Sequence, residues 1–188
     1  MRTIETTVYN FDELPEAIQE RVIESWTMGD FPYHEEIEAT LNALQRLLDV
    51  AVHSWEYGLE YHTFRIGKTC NDEIPAWKVV RDIELPRRVY RRKYGIGSKY
   101  RVSKITRATI DDCPFTGVCY DFAYADAVRE LHKPGNFFTW TKADFVRDVF
   151  DRLFSMACAE YRYFYSKENA REDIRCNEYE FTAEGKLI

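Results

Sequence analysis

Arginine, lysine and tyrosine crowd one stretch of the sequence, LPRRVYRRKYGIGSKYRVSKITR at residues 85–107. Arginine and lysine bind phosphate or carboxylate groups, and tyrosine rings can stack on nucleobases. Their alternation along a β-ribbon is typical of surfaces that contact nucleic acid. The residues that we expect to contact a partner or nucleic acid are Arg87, Arg88, Tyr90, Arg91, Arg92, Lys93, Tyr94, Lys99, Arg101 and Lys104.

The glycines at residues 95–98 predict a hairpin whose turn is centred on Ile96 and Gly97. That turn pairs Arg92 with Arg101, Arg91 with Val102, Tyr90 with Ser103 and Tyr94 with Lys99. It also places six residues on one face of the ribbon, namely Arg88, Tyr90, Arg92, Tyr94, Lys99 and Arg101. Opposed like charges weaken a strand pair unless an anion lies between or over them. This pairing therefore predicts a face that binds anions. Two other interpretations stay open, namely that acidic helices of the same chain neutralise the ribbon, or that the ribbon is a solvated sheet face.

The charge of the chain is strongly segregated, although the formal net charge is −6. Residues 1–62 carry 13 acidic and 3 basic residues, residues 63–107 carry 4 and 13, and residues 108–188 carry 15 and 10. The first third therefore has a net charge of −10 and the segment that contains the ribbon has +9. Such a separation favours binding to charged partners.

The histidines and cysteines lack the spacing of a metal site. His62, Cys70, Cys113 and Cys119 form no CxxC or HxxxH pair, so we interpret the thiols as ordinary buried residues rather than zinc ligands. His34 begins the run HEEIE, which lacks the second histidine of a zinc-protease helix. The acids of that run are better explained as solvated residues in the first turns of a helix.

Two further motifs resemble catalytic motifs, but their spacing or their neighbouring residues do not fit a catalytic site. A phosphate loop has four residues between its first glycine and its Gly-Lys pair, and it joins a strand to a helix. GIGSK lacks that spacing and lies between two predicted strands, so we expect a hairpin turn there. Asp111 and Asp112 precede Cys113 and Pro114, and turn formation explains them better than paired catalytic carboxylates. We therefore predict no enzyme activity, no catalytic residue, no metal site and no cofactor.

Composition indicates a folded, globular protein. The 188 residues are 45% hydrophobic and include 13 Tyr and 12 Phe, enough to bury a substantial core. The start MRTIETTVYN has no apolar signal-peptide region, and no stretch of the sequence is apolar enough to span a membrane. The five cysteines are irregularly spaced, so we expect them to be reduced thiols. We expect a cytoplasmic protein that does not associate with membranes, and the sequence makes no prediction of oligomeric state.

Helical periodicity dominates both ends of the chain. Pro15 suits the first turn of the first helix, Thr141 with Asp144 predicts a capping box, and Ser166 predicts an N-cap. YADAVRELHK is a predicted short helix that ends before Pro134 and Gly135. The apolar stripes of the other helices are Leu14, Ile18, Val22 and Trp26, then Ile37, Leu41, Leu44, Leu48 and Ala51, then Phe145, Val149, Leu153, Met156, Ala157 and Phe164.

Aromatic and β-branched residues predict strands in the middle of the chain. These segments are WEYGLEYHTFRIG, AWKVVRDIEL, RRVYRRKY and KYRVSKITRATI, and Tyr179 with Phe181 predicts a final strand. The predicted fold class is α+β, with an N-terminal helical hairpin, a mostly antiparallel β-sheet in the middle, C-terminal helices and a short closing strand. We expect one domain over residues 1–188, composed of an acidic helical hairpin at 1–53, a basic β region at 54–122, and helices plus a terminal strand at 123–188.

Three segments carry a family resemblance: YNFDELPEAIQERVIESW near the start, CPFTGVCYDF, and the ending YRYFYSKENAREDIRCNEYEFTAEGKLI. Together they resemble a family of uncharacterised proteins encoded by tailed bacteriophages and prophages. The resemblance covers roughly half of the chain, and the middle, from HTFRIGKTCNDEIPAW through the basic ribbon, departs from it. It implies a phage or prophage origin and a shared scaffold, and it transfers no catalytic residue.

We therefore expect a phage or prophage accessory protein that acts by binding. The partner is expected to be a host protein or protein–nucleic-acid complex, with the chain inhibiting a host nucleic-acid-processing defence of the CRISPR or restriction type through its segregated acidic and basic surfaces. In that role the acidic helical hairpin would mimic nucleic acid, while the basic ribbon would contact nucleic acid or an acidic patch of the partner. One alternative is a protein that binds DNA or RNA directly through residues 87–107, and a second is a small phage enzyme whose site the sequence does not reveal.

Overall fold

The computed structural model describes residues 7–67, 71–84, 87–91, 98–102 and 122–188, with residues 84, 87–91, 98–102 and 122 described by their backbone. The fold class is α+β, as the sequence predicts, with helices at both ends of the chain and short antiparallel strand pairs. Among the described helices, none combines the length and the apolar character that crossing a bilayer requires. The chain divides into unit 1, drawn from residues 1–31 and 159–188, and unit 2, residues 32–158.

Seven α-helices lie in the described part of the chain. They are α1 (Glu16–Ser25), α2 (His34–Leu48), α3 (Ala76–Glu84), α4 (Phe122–Leu131), α5 (Asn136–Thr139), α6 (Lys142–Phe164) and α7 (Lys167–Cys176). A short 3-10 helix, Phe11–Glu13, precedes α1. The sequence-based predictions of α1, α2, α4, α6 and α7 are confirmed. The packing of α1 on α2 as a hairpin, and the three-segment division of a single domain, stay predictions.

The described strands form three antiparallel pairs. β1 (Tyr9–Asn10) pairs with β6 (Glu180–Phe181), β2 (Val52–Tyr57) with β3 (His62–Ile66), and β4 (Arg87–Arg91) with β5 (Ser98–Val102). The predicted closing strand is therefore confirmed, with Phe181 opposite Tyr9. The strand prediction for WEYGLEYHTFRIG is also confirmed, and the segment contributes to two paired strands, with Trp55 opposite Phe64.

In unit 1, the two ends of the sequence share one apolar core. Its buried residues are Phe11, Leu14, Val22, Ile23, Ala170, Ile174 and Phe181. The indole N–H of Trp26, beyond the end of α1, donates to the Asp173 carboxylate on α7 at 3.0 Å. The stripe Leu14, Ile18, Val22 and Trp26 thus faces this core, as its spacing predicts.

In unit 2, α6 supplies the centre of the core. Phe145, Val149, Leu153 and Ala157, members of its predicted stripe, are fully buried. The aromatic face of the β2–β3 hairpin lies over this helix, since Trp55 and Phe64 stack on Phe154 with ring centroids 5.7 and 5.5 Å away.

The N-terminus of α6 has the predicted capping box. The Thr141 N–H and hydroxyl donate to the Asp144 carboxylate at 2.9 and 2.7 Å, and the Asp144 N–H donates to the Thr141 hydroxyl at 3.3 Å. These hydrogen bonds from Thr141 lower the pKa of the Asp144 carboxyl. The predicted N-cap of α7 is confirmed as well, because the Asn169 N–H donates to the Ser166 hydroxyl at 3.1 Å.

Two predictions about local structure are wrong. AWKVVRDIEL forms helix α3 rather than a strand, because Ala76, Val79, Val80 and Ile83 follow helical spacing and all four are buried. Helix α2 ends at Leu48, since Asp49 has a left-handed backbone with φ 57°, and Ala51 beyond it is exposed rather than part of the apolar stripe.

Candidate partner-binding surface

The basic ribbon forms an antiparallel strand pair whose register differs from the prediction. Arg88 is the partner of Arg101, Tyr90 of Lys99, and Arg91 of Ser98. The predicted pairs of Arg92 with Arg101, Arg91 with Val102, Tyr90 with Ser103 and Tyr94 with Lys99 are therefore wrong, and each described partner is displaced by four positions.

The error has a physical cause. Side chains along a strand alternate between the two faces of the sheet. Shifting the register by an even number of residues therefore leaves every side chain on the same face, and the alternation of residue types cannot distinguish the two registers. The prediction relied on a tight turn at Ile96 and Gly97, whereas six residues, 92–97, separate the last paired positions. Of the predicted contact residues, Arg92, Lys93, Tyr94 and Lys104 lie outside the described residues.

The observed register preserves the chemical feature that motivated the prediction. An arginine still stands opposite an arginine, and a tyrosine opposite a lysine, on neighbouring strands. Directly opposed like charges weaken an antiparallel pair, and an anion between or over them relieves that repulsion. The anion-binding face of the ribbon stays a prediction, with Arg88 rather than Arg92 as the partner of Arg101.

Several acids of the N-terminal segment have basic partners in unit 1. Asp12, Glu20 and Glu24 form ion pairs with Arg175, Arg171 and Lys167 of α7 at 2.6, 2.7 and 2.9 Å. The hydrogen bond to Glu24 raises the pKa of the Lys167 ammonium group. These contacts are solvent-exposed, so each contributes little to the stability of the fold. They nevertheless show that the negative charge of the first third is partly balanced by α7.

Helix α3 carries an aromatic residue flanked by two cations. The Trp77 ring is half-buried, with the Arg81 guanidinium 5.2 Å and the Lys78 ammonium 5.5 Å from the ring centroid. Arg81 and Lys78 are exposed, and the cation–π contact keeps both charges beside the ring. Strand β4 begins three residues after α3 ends, so these cations continue the basic segment along the chain.

The short helix α5 extends this surface with two phenylalanines. Phe137 stacks on Trp77 with ring centroids 6.2 Å apart, and the edge of Phe138 meets Phe137 at 5.1 Å. Phe138 is 85% exposed, so its ring is accessible to a partner. We call Trp77, Lys78, Arg81, Phe137 and Phe138 the aromatic–cation surface.

Sequence reasoning missed the aromatic–cation surface. The cause is the assignment of AWKVVRDIEL to a strand. In an extended strand Trp77 and Arg81 are too far apart along the chain to touch, whereas in a helix they are neighbours on one face. The signal that reveals the surface is the helical spacing of the buried residues, since Trp77 and Arg81 are then an i, i+4 pair.

The described residues contain no group of three or more His, Cys, Asp or Glu side chains arranged to hold a metal ion. Of the four residues considered for zinc, His62 lies on β3, and Cys70, Cys113 and Cys119 lie outside the part of the chain that the structure describes. The same holds for Asp111 and Asp112. Cys158 and Cys176 are free thiols.

Comparison with protein-family models, with curated proteins and with solved structures found no match to this chain. The resemblance of the chain ends to a phage family thus stays a prediction.

Proposed function

We propose that this protein acts by binding an anionic partner through the basic ribbon and the aromatic–cation surface. The observation that carries the proposal is the cross-strand pairing of Arg88 with Arg101, within a segment whose net charge is +9. A strand pair with opposed arginines is a poor structural element by itself and a good anion receptor. The ion pairs of Asp12, Glu20 and Glu24 with α7 also favour the basic pole over the acidic pole as the binding surface.

The chemistry of the surface fits nucleic acid held in a protein complex. Arginine and lysine contact phosphates, while an exposed ring such as Phe138 can stack on an unpaired base or fill a pocket of a protein partner. Taken with the resemblance to phage proteins, this supports an inhibitor of a host nucleic-acid-processing defence that acts in the bacterial cytoplasm. In that role the protein would occupy the nucleic-acid-bearing face of the defence complex.

The alternative is direct binding of DNA or RNA through residues 87–107 without a protein partner. The described strands of the ribbon contain five basic residues, Arg87, Arg88, Arg91, Lys99 and Arg101. If each neutralised one phosphate of duplex DNA, the logarithm of the affinity would fall with the logarithm of salt concentration with a slope of about −4.5. Raising the salt fourfold would then weaken binding roughly 500-fold.

The test is capture from a bacterial host lysate with the full chain as bait, with and without nuclease. The proposal predicts that a host protein is retained after nuclease treatment, because the inhibitor contacts the complex itself. The alternative predicts that everything captured is lost with nuclease, and that a labelled DNA duplex binds the purified chain with the salt dependence above. Capture of neither protein nor nucleic acid would refute both.

A further inference from the structure

Unit 2 brings a thiol, an imidazole and a carboxylate together at the junction of α6 and β3. Asp151 and Cys158 lie two helical turns apart on one face of α6, a separation of about 10 Å along the axis. His62, the first residue of β3, lies between them. Its Nε2 is 2.9 Å from the Asp151 Oδ1 and its Nδ1 is 3.9 Å from the Cys158 Sγ.

The contact with Asp151 fixes the tautomer of His62. An ionised carboxylate can only accept hydrogen bonds, so the proton of the neutral ring lies on Nε2. The Nδ1 atom then carries a lone pair and faces the thiol. This is the arrangement in which a carboxylate orients an imidazole that can take a proton from a nucleophile.

Aromatic residues hold the imidazole in this orientation. The His62 ring is stacked at 8° to Phe64 and at 25° to Phe154, with centroids 6.2 and 6.3 Å away. The His62 side chain is 21% exposed and that of Asp151 58%, whereas Cys158 is 5% exposed. The thiol thus lies beneath an imidazole whose outer edge reaches solvent.

The resting thiol has a second hydrogen-bond partner. Its Sγ donates to the Tyr61 carbonyl at 3.2 Å, at the end of the turn that joins β2 to β3. Tyr61 is itself exposed. Rotation of the thiol hydrogen from this carbonyl towards the Nδ1 of His62 is the change that prepares the sulfur for proton transfer.

We propose that Cys158 is a nucleophilic thiol, with His62 as its general base and Asp151 as the positioning residue, that accepts an acyl group from an activated ester. The Cys158 Sγ forms a bond to the carbonyl carbon as the ester C–O bond breaks. The thiol proton passes to the Nδ1 of His62 and then to the leaving oxygen. Water later hydrolyses the thioester and restores the thiol. This site is independent of the partner-binding surface.

The test is the reaction of the intact protein with p-nitrophenyl acetate, followed by nitrophenolate release and by peptide mass mapping of the acetyl group. Cys176, exposed on α7, is the reference thiol within the same chain. An unactivated buried thiol reacts more slowly than an exposed one. The proposal predicts instead that Cys158 is acetylated first and that Cys158→Ala abolishes the rapid release while leaving the slow labelling of Cys176.

Two further variants test the assigned roles. His62→Gln should slow acetylation of Cys158 by about 100-fold or more, the usual contribution of a general base. Asp151→Asn should slow it and displace the pH–rate profile, an effect that a purely structural role would not produce. The rates of both thiols in the urea-unfolded chain give the unactivated baseline. Labelling of Cys158 no faster than Cys176 in the folded protein, or equal rates with and without His62, would overturn the proposal.

Discussion

Gly185 provides a sharp test of how the C-terminal segment closes unit 1. Its φ is +84°, and a Cβ built on it would lie 2.8 Å from the Cγ2 methyl groups of both Ile18 and Val22 on α1. The left-handed backbone costs a non-glycine residue about 1–2 kcal/mol, and forcing a methyl group into a packed site adds about 1–3 kcal/mol. Alanine also lowers the conformational entropy of the unfolded chain, which offsets about 0.4–1 kcal/mol. We therefore expect Gly185→Ala to lower the free energy of unfolding by about 1–5 kcal/mol.

Two other glycines separate the backbone contribution from the packing contribution. Gly135 has φ +98° with no atom within 4 Å of a built Cβ, so Gly135→Ala should cost only the backbone strain, about 1 kcal/mol. Gly29 has neither a positive φ nor a close neighbour, so Gly29→Ala should change stability by less than about 0.5 kcal/mol.

Urea unfolding, followed by circular dichroism and by tryptophan fluorescence, measures these differences. The expected order of the losses of stability, from the largest to the smallest, is Gly185, Gly135, Gly29. If Gly185→Ala were no more destabilising than Gly135→Ala, the C-terminal segment would not pack its glycine on Ile18 and Val22.

Four further changes have defined outcomes. Thr141→Ala should destabilise α6 by about 1 kcal/mol in thermal unfolding, because it removes the N-cap. The pKa of the Asp144 carboxyl in the folded protein lies below its ordinary value of 3.8, so the stability that the carboxylate contributes is present above pH 3.8 and is lost as the pH falls through the folded pKa. The difference in unfolding free energy between wild type and Asp144→Asn should therefore shrink on acidification below pH 3.8. Trp26→Phe should lose about 1–2 kcal/mol in urea unfolding through the missing hydrogen bond to Asp173. Phe138→Ala should leave the unfolding free energy unchanged within about 0.5 kcal/mol and reduce partner capture, since the ring is exposed.

The helices were predictable where periodicity and capping chemistry agree. At α6, the buried stripe from Phe145 to Ala157 and the capping box of Thr141 and Asp144 indicate the same helix, and the structure has it. The N-cap Ser166 is a second case. Local interactions decide these elements, so a single sequence contains enough information to locate them.

Helix α3 was not predicted because two local signals conflict there. Val79 and Val80 favour a strand by their β-branched side chains, while the spacing of Ala76, Val79, Val80 and Ile83 favours a helix. Packing decides in favour of the helix, since all four residues become buried and α3 contacts α4 and α5. Spacing over two helical turns was the better guide than propensity.

The candidate sites depend on contacts between residues far apart in the sequence. The ribbon register cannot be derived from alternation, and the approach of His62 to Asp151 and Cys158 results from packing β3 on α6. Asp151 and Cys158 do share one helix face at a spacing of seven residues, which is visible in the sequence. The sequence does not indicate that His62 lies between them.

The most direct test of the binding account compares two double charge reversals in capture from nuclease-treated host lysate. Arg88→Glu with Arg101→Glu alters the opposed arginines of the ribbon, while Arg21→Glu with Lys186→Glu makes the same change in charge at exposed positions of unit 1. The account predicts that the ribbon variant, folded by circular dichroism, loses the captured host protein and that the control retains it. Equal retention by both variants would contradict the assignment of the basic ribbon as the binding surface.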